Sequence, residues 1–82
     1  MATLYKADDT ALEVTPANGK DFTVDELQSL VGGYCEMIRA GSDFLLVDED
    51  GLAKGLPVNN VILYKYGKRL VGNVLKGTAK EF

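Results

Sequence analysis

Thr23-Val24-Asp25-Glu26-Leu27-Gln28-Ser29-Leu30-Val31-Gly32-Gly33-Tyr34-Cys35-Glu36-Met37-Ile38-Arg39-Ala40 is the stretch from which the fold can be read. It opens with a capping box. The Thr23 hydroxyl can accept from the Glu26 amide while the Glu26 carboxylate reaches back to the Thr23 amide. Asp25 and Glu26 suit the positive end of a helix dipole. Val24, Leu27, Leu30 and Val31 then form one apolar stripe at helical spacing. Gly32-Gly33 ends the helix, because glycine takes the left-handed conformation without steric cost. The pattern predicts a helix over 23–32, followed by a strand over 34–40 with Cys35 and Met37 on one face and Tyr34, Glu36 and Ile38 on the other.

Working outward, residues 2–6 and 11–15 read as a hairpin around Asp8-Asp9-Thr10, with Leu12 and Val14 alternating against Glu13 and Thr15. Gly41-Ser42-Asp43 turns the chain into a strand over 44–48, whose unbroken run Phe44-Leu45-Leu46-Val47 predicts burial on both faces. Pro57 marks the start of a second, short helix at about 57–66, with Val58, Val61, Ile62 and Tyr66 inward and Gly67 as its stop. Residues 70–75 read as a last strand, and 77–82 as a frayed tail. The expectation is α+β: a mainly antiparallel sheet of four to five strands, with one or two helices against one face, in a single domain over 1–82.

The chain has 82 residues, one cysteine and no histidine. An internal disulfide and a cysteine/histidine metal cage are therefore excluded, and no cofactor is indicated. An apolar content of 46% supports one folded core. The opening Met1-Ala2-Thr3-Leu4-Tyr5-Lys6 has no charged start followed by a long apolar stretch, and no apolar run approaches membrane-spanning length. With a free thiol, this sets the expectation of a soluble cytoplasmic protein.

A net charge of −3 disfavours general nucleic-acid binding. The charge is uneven. Residues 1–53 carry 3 basic and 11 acidic side chains; residues 54–82 carry 6 and 1. Either the two parts neutralise each other, or the second presents a basic patch to an anionic ligand.

Three stretches, Leu27–Glu36, Asp50–Asn59 and Leu70–Leu75, contain the pattern LVGGY…DG…KGLPVN…VGNVL. In this order they resemble the small phage and bacterial proteins grouped as domain of unknown function 3846. The resemblance covers roughly residues 3 to 75 and implies expression in a bacterial cytoplasm. It brings no activity, cofactor or catalytic residue. Cys35 stands where relatives place an aliphatic residue. Val61–Tyr66 is more apolar than the relatives' stretch, so specificity is expected in the region after Asn59.

Each motif has a structural alternative. Gly32-Gly33 follows a helix, whereas a phosphate cradle precedes one, so it reads as a cap. Asp48-Glu49-Asp50-Gly51 lacks a glutamate at the twelfth position of a calcium loop, which is Asn59, and reads as a solvated turn. Cys35 has no histidine base and reads as core. Asn59 either caps the short helix and satisfies buried backbone groups, or contacts a ligand. Lys54, Tyr64, Lys65, Tyr66, Lys68 and Arg69 are the candidate ligand-binding side chains with Asn59, combining cations with rings that can stack on a base.

The composition points to a binding protein without catalytic machinery, and the resemblance implies an accessory protein of phage type. One form is a counter-defence sponge for an anionic nucleotide signal, working as an oligomer. The alternative is an inhibitor or adaptor that docks on a host protein. A small enzyme using Glu36 and Asp48 is the weakest of the three, since general acid–base work needs a group titrating near neutrality.

Overall fold

Strand β1 (Ala2–Tyr5) and strand β2 (Ala11–Val14) form the expected hairpin, with Leu4 opposite Leu12. The turn closes through the Lys6 amide donating to the Thr10 carbonyl at 2.8 Å, and Asp8 Oδ1 accepts from the Thr10 amide at 3.0 Å. Helix α1 (Val24–Val31) follows, then strand β3 (Cys35–Ala40), strand β4 (Asp43–Asp48), helix α2 (Asn60–Tyr66) and strand β5 (Val74–Gly77). The computed structural model describes residues 2–78, 80 and 82. The fold is α+β. All five strands lie in one antiparallel sheet of order β2-β1-β5-β4-β3, so β5 is inserted between the two hairpins.

The capping box of α1 is present in full: Glu26 N–H donates to Thr23 Oγ1 at 3.2 Å, and Thr23 N–H donates to Glu26 Oε1 at 2.8 Å. Gly32 ends the helix at φ +94°. Of the predicted stripe, Val31 is buried and Leu27 and Leu30 are half-buried, but Val24 is exposed.

The two helices do not share a face of the sheet. Side chains alternate across a strand. Leu4, Leu46 and Leu75 form one core with Phe22 and Val31, against which Leu27 and Leu30 of α1 pack. Tyr5, Leu45, Val47 and Val74 form a second with Ile62 of α2. The architecture is therefore helix, sheet, helix, which corrects the one-face expectation. The reason was present in β4: Leu45 to Asp48 are all buried, and a strand apolar on both sides needs a cover on each.

Two boundaries also shift. Helix α2 starts at Asn60, not at residue 57, because Val58 is held in an extended bridge with Val71 and the Pro57 carbonyl accepts from the Gly72 amide at 2.8 Å. The last strand begins at Val74, not at residue 70, since Gly72 turns the chain at φ +76°. Gly77, expected to open the frayed tail, is instead the buried end of β5 opposite Phe44. The Phe82 ring lies 6.2 Å from that of Phe22. Ala79 and Glu81 of that tail lie outside the described residues.

Thr23→Ala removes the hydroxyl acceptor that fixes the start of α1. It should lower stability by about 1 kcal/mol in urea unfolding, with no change in the denaturant slope.

Candidate functional site

The seven candidate residues separate into two sets, one spent inside the fold and one on its surface. Asn59 heads the first. It is 0% exposed. Its Nδ2 donates to the Tyr5 carbonyl at 2.8 Å and the Gly72 carbonyl at 3.0 Å, while Oδ1 accepts from the Ile62 amide at 3.2 Å as the N-cap of α2. Its own N–H donates to the Leu70 carbonyl at 2.8 Å. Both amide hydrogens are used and no face is open, so Asn59 is a structural hub and not a ligand contact.

Lys54 is the second member of this set. Its Nζ donates to Asp48 Oδ2 at 2.6 Å and to the Gly32 carbonyl at the end of α1 at 3.2 Å. Asp48 is only 5% exposed, which overturns its reading as part of a solvated turn. Its Oδ1 accepts from the Asp50 amide at 2.9 Å. The hydrogen bond from Lys54, then that from Asp50, holds the Asp48 carboxyl below the usual aspartate value. Glu49 and Asp50 are exposed. No group of three or more metal-ligating side chains occurs among the described residues. A signal for Asp48 was available: it continues the alternation of Leu46 on β4, so it points under α1 and not into solvent.

The stretches LVGGY, DG, KGLP and VGN converge on this ion pair. Gly33 sits so close to it that a Cβ there would lie 2.8 Å from Lys54 Nζ. A Cβ on Gly51 would lie 2.7 Å from Val71 Cγ2, and one on Gly72 would lie 2.8 Å from Leu56 Cδ1. A cavity of about 260 Å³ remains between Gly32, Asp48, Lys54, Leu56 and Asn73. Asn73 Oδ1 accepts from the Ala7 amide at 3.1 Å. Gly33, Gly51 and Gly72 thus have a packing explanation, while Gly32 and Gly55 are set by their positive φ.

The second set lies on and after α2. Tyr64 is 91% exposed. Lys65 Nζ stands 5.7 Å from the centre of the Tyr5 ring. Arg69 is exposed and Lys68 half-buried. Tyr66 is turned inward, with its hydroxyl donating to Asp43 Oδ2 at 3.4 Å; burial, then the Asp43 charge, pushes its phenol up. Tyr66 is therefore mainly core. Among the described residues, Lys54–Asp48 is the only ion pair, so Lys65, Lys68 and Arg69 form none, although Arg69 lines a hollow of about 100 Å³ with Glu36, Asp48 and Glu49 of the acidic segment.

Cys35 is half-buried on the α1 side of β3. Burial first, then Asp48 and Glu49, pushes its thiol up, which disfavours the nucleophilic thiolate. No helix among the described residues is long and apolar enough to cross a membrane.

A carboxyl whose folded-state value is lowered stabilises the fold above its unfolded value, and that contribution disappears as pH falls through the folded value. Asp48→Asn should therefore be less stable than wild type at neutral pH. The difference in urea midpoint should shrink as pH falls below the usual aspartate value of 3.8. A difference constant with pH would contradict the assignment.

No match emerges among curated proteins or among solved structures. One family model does match, over residues 1–80, and its description is Domain of unknown function (DUF3846). With nearly the whole chain covered, and the LVGGY, DG, KGLPVN and VGNVL stretches meeting around one part-buried ion pair, the chain belongs to the DUF3846 family.

Proposed function

We propose that the protein is a non-catalytic binding protein whose α2 surface grips a small anionic ligand carrying a planar ring, of which a nucleotide is the fitting class. The reading rests on Tyr64, a ring left 91% exposed next in sequence to Lys65 and a few residues before Lys68 and Arg69, none of which carries an ion pair among the described residues. An exposed aromatic ring costs solvation and offers a stacking face, and neighbouring cations can neutralise phosphate. Lys54 and Asn59 drop out of the ligand set because the fold uses them. Tyr64, Lys65, Lys68 and Arg69 remain. In a phage-type setting within a bacterial cytoplasm, such a protein would sequester a nucleotide signal of host defence.

A docking role on a host protein is the second reading. A groove of about 470 Å³ between β2 and α1 favours it, with Val14, Phe22 and Leu30 on its floor and Asp25 and Glu26 on its rim. Such a groove suits an apolar segment flanked by cations. Carboxylate-based turnover has the least support, since Asp48 is lowered and not raised toward neutrality.

A nucleotide panel in thermal unfolding separates these. A ligand present at about a hundred times its Kd adds about 2.7 kcal/mol, a rise on the order of 10 °C for a chain this small. Tyr64→Ala and Arg69→Glu should abolish that rise and leave the unliganded midpoint within about 2 °C of wild type. If no nucleotide moves the midpoint, the ligand reading fails.

A further inference from the structure

β3 is an edge strand of the sheet, and its outer side has no partner among the described residues. Edges are usually blunted by shortness, charged side chains, proline or a bulge. β2, the opposite edge, is four residues long. β3 has six residues, pairs in unbroken register with β4, and contains no proline or glycine; its two charges, Glu36 and Arg39, are of opposite sign.

The phase of its hydrogen bonds follows from one contact. The Tyr34 carbonyl accepts from the Glu49 amide at 2.9 Å, so even-numbered residues of β3 aim their backbone groups at β4. Cys35, Met37 and Arg39 therefore aim theirs outward. An antiparallel partner that uses all three must place Met37 opposite its own Met37 and Cys35 opposite Arg39. Shifting the axis to Ile38 loses hydrogen bonds, and shifting it to Glu36 sets two like charges face to face.

We propose that the occupant of this edge is a second copy of the chain, paired β3 to β3 about a two-fold axis through Met37. Charge and apolar surface both support the second copy. Met37 is 51% exposed, and Tyr34 and Val24, which meet near Cys35, are each 66% exposed. Next to Cys35 lies a hollow of about 310 Å³, lined by Val24, Leu27, Tyr34, Cys35 and Glu49. Glu49 carries no ion pair among the described residues. The register brings the partner's Arg39 alongside Cys35, at the mouth of this hollow, where its guanidinium meets the Tyr34 ring and the Glu49 carboxylate. Among the described residues of one chain, Arg39 has only the Gly41 carbonyl, accepting from its Nε at 3.2 Å. Cys35 is small enough to let the long side chain pass. The two-fold supplies each contact twice. This proposal is independent of the nucleotide reading, since it uses no residue of α2.

Light scattering on the full chain should give twice the 8.9 kDa of one chain. Arg39→Glu should return the mass to one chain, and adding Glu49→Arg should restore the dimer. Residues opposite each other at a hydrogen-bonded position stand about 5.5 Å apart, within disulfide reach. Met37→Cys in a Cys35→Ser background should thus cross-link into a dimer on mild oxidation, while Leu12→Cys on β2 in that background should not. A wild-type chain monomeric up to millimolar concentration would overturn the proposal. So would a dimer that cross-links through Leu12→Cys and not through Met37→Cys, or one untouched by Arg39→Glu.

Discussion

The carboxamide of Asn59 is the interaction on which the second layer of this protein depends. A seven-residue helix is too short to hold itself together in water. It persists because its first turn is capped and its position is fixed. One side chain does both: Oδ1 accepts from the Ile62 amide in the first turn of α2, and Nδ2 joins the backbone of β1 to the turn that leads into β5. Its fully buried position gives these bonds a low-dielectric setting and makes each unmade one costly. Ile62, one turn on, then seats between Tyr5, Leu45, Val47 and Val74.

The first layer is anchored by different chemistry. Lys54 ties the end of α1 to the buried carboxylate of Asp48. The loop from Gly51 to Val58 carries one anchor, Lys54, and leads directly into the other, Asn59. Two internal tasks thus consume a cation and an amide that the composition alone would offer to a ligand. What the pinned helix leaves exposed is its outer surface, with Leu63, Tyr64 and Lys65.

Local chemistry made much of this legible in advance. The capping box, the Gly32 stop, the Asp8-Asp9-Thr10 turn and the apolar run of β4 are each decided by neighbours within a few residues. The two roles of Asn59 were also foreseeable in kind, since an asparagine before an apolar run caps and satisfies backbone. Its partners were not, because Tyr5 lies 54 positions away along the chain. The start of α2 was misjudged for a related reason. Pro57 is a good first helical residue, yet the bridge between Val58 and Val71 holds that backbone extended. Asp48 looked solvated beside Glu49 and Asp50 until the pleat of β4 turned it under α1. The placement of the helices on opposite faces followed from the burial of β4, but only once the whole sheet was assembled.

Amide hydrogen exchange on Asn59→Ser tests the role of this side chain most directly. Serine keeps the cap but cannot reach both carbonyls. Losing those two bonds should lower the opening free energy of α2 by about 2–3 kcal/mol, read at the Leu63 and Gly67 amides, while Leu27 and Gly32 in α1 change far less. Equal protection of α2 in the variant and the wild type would contradict the account.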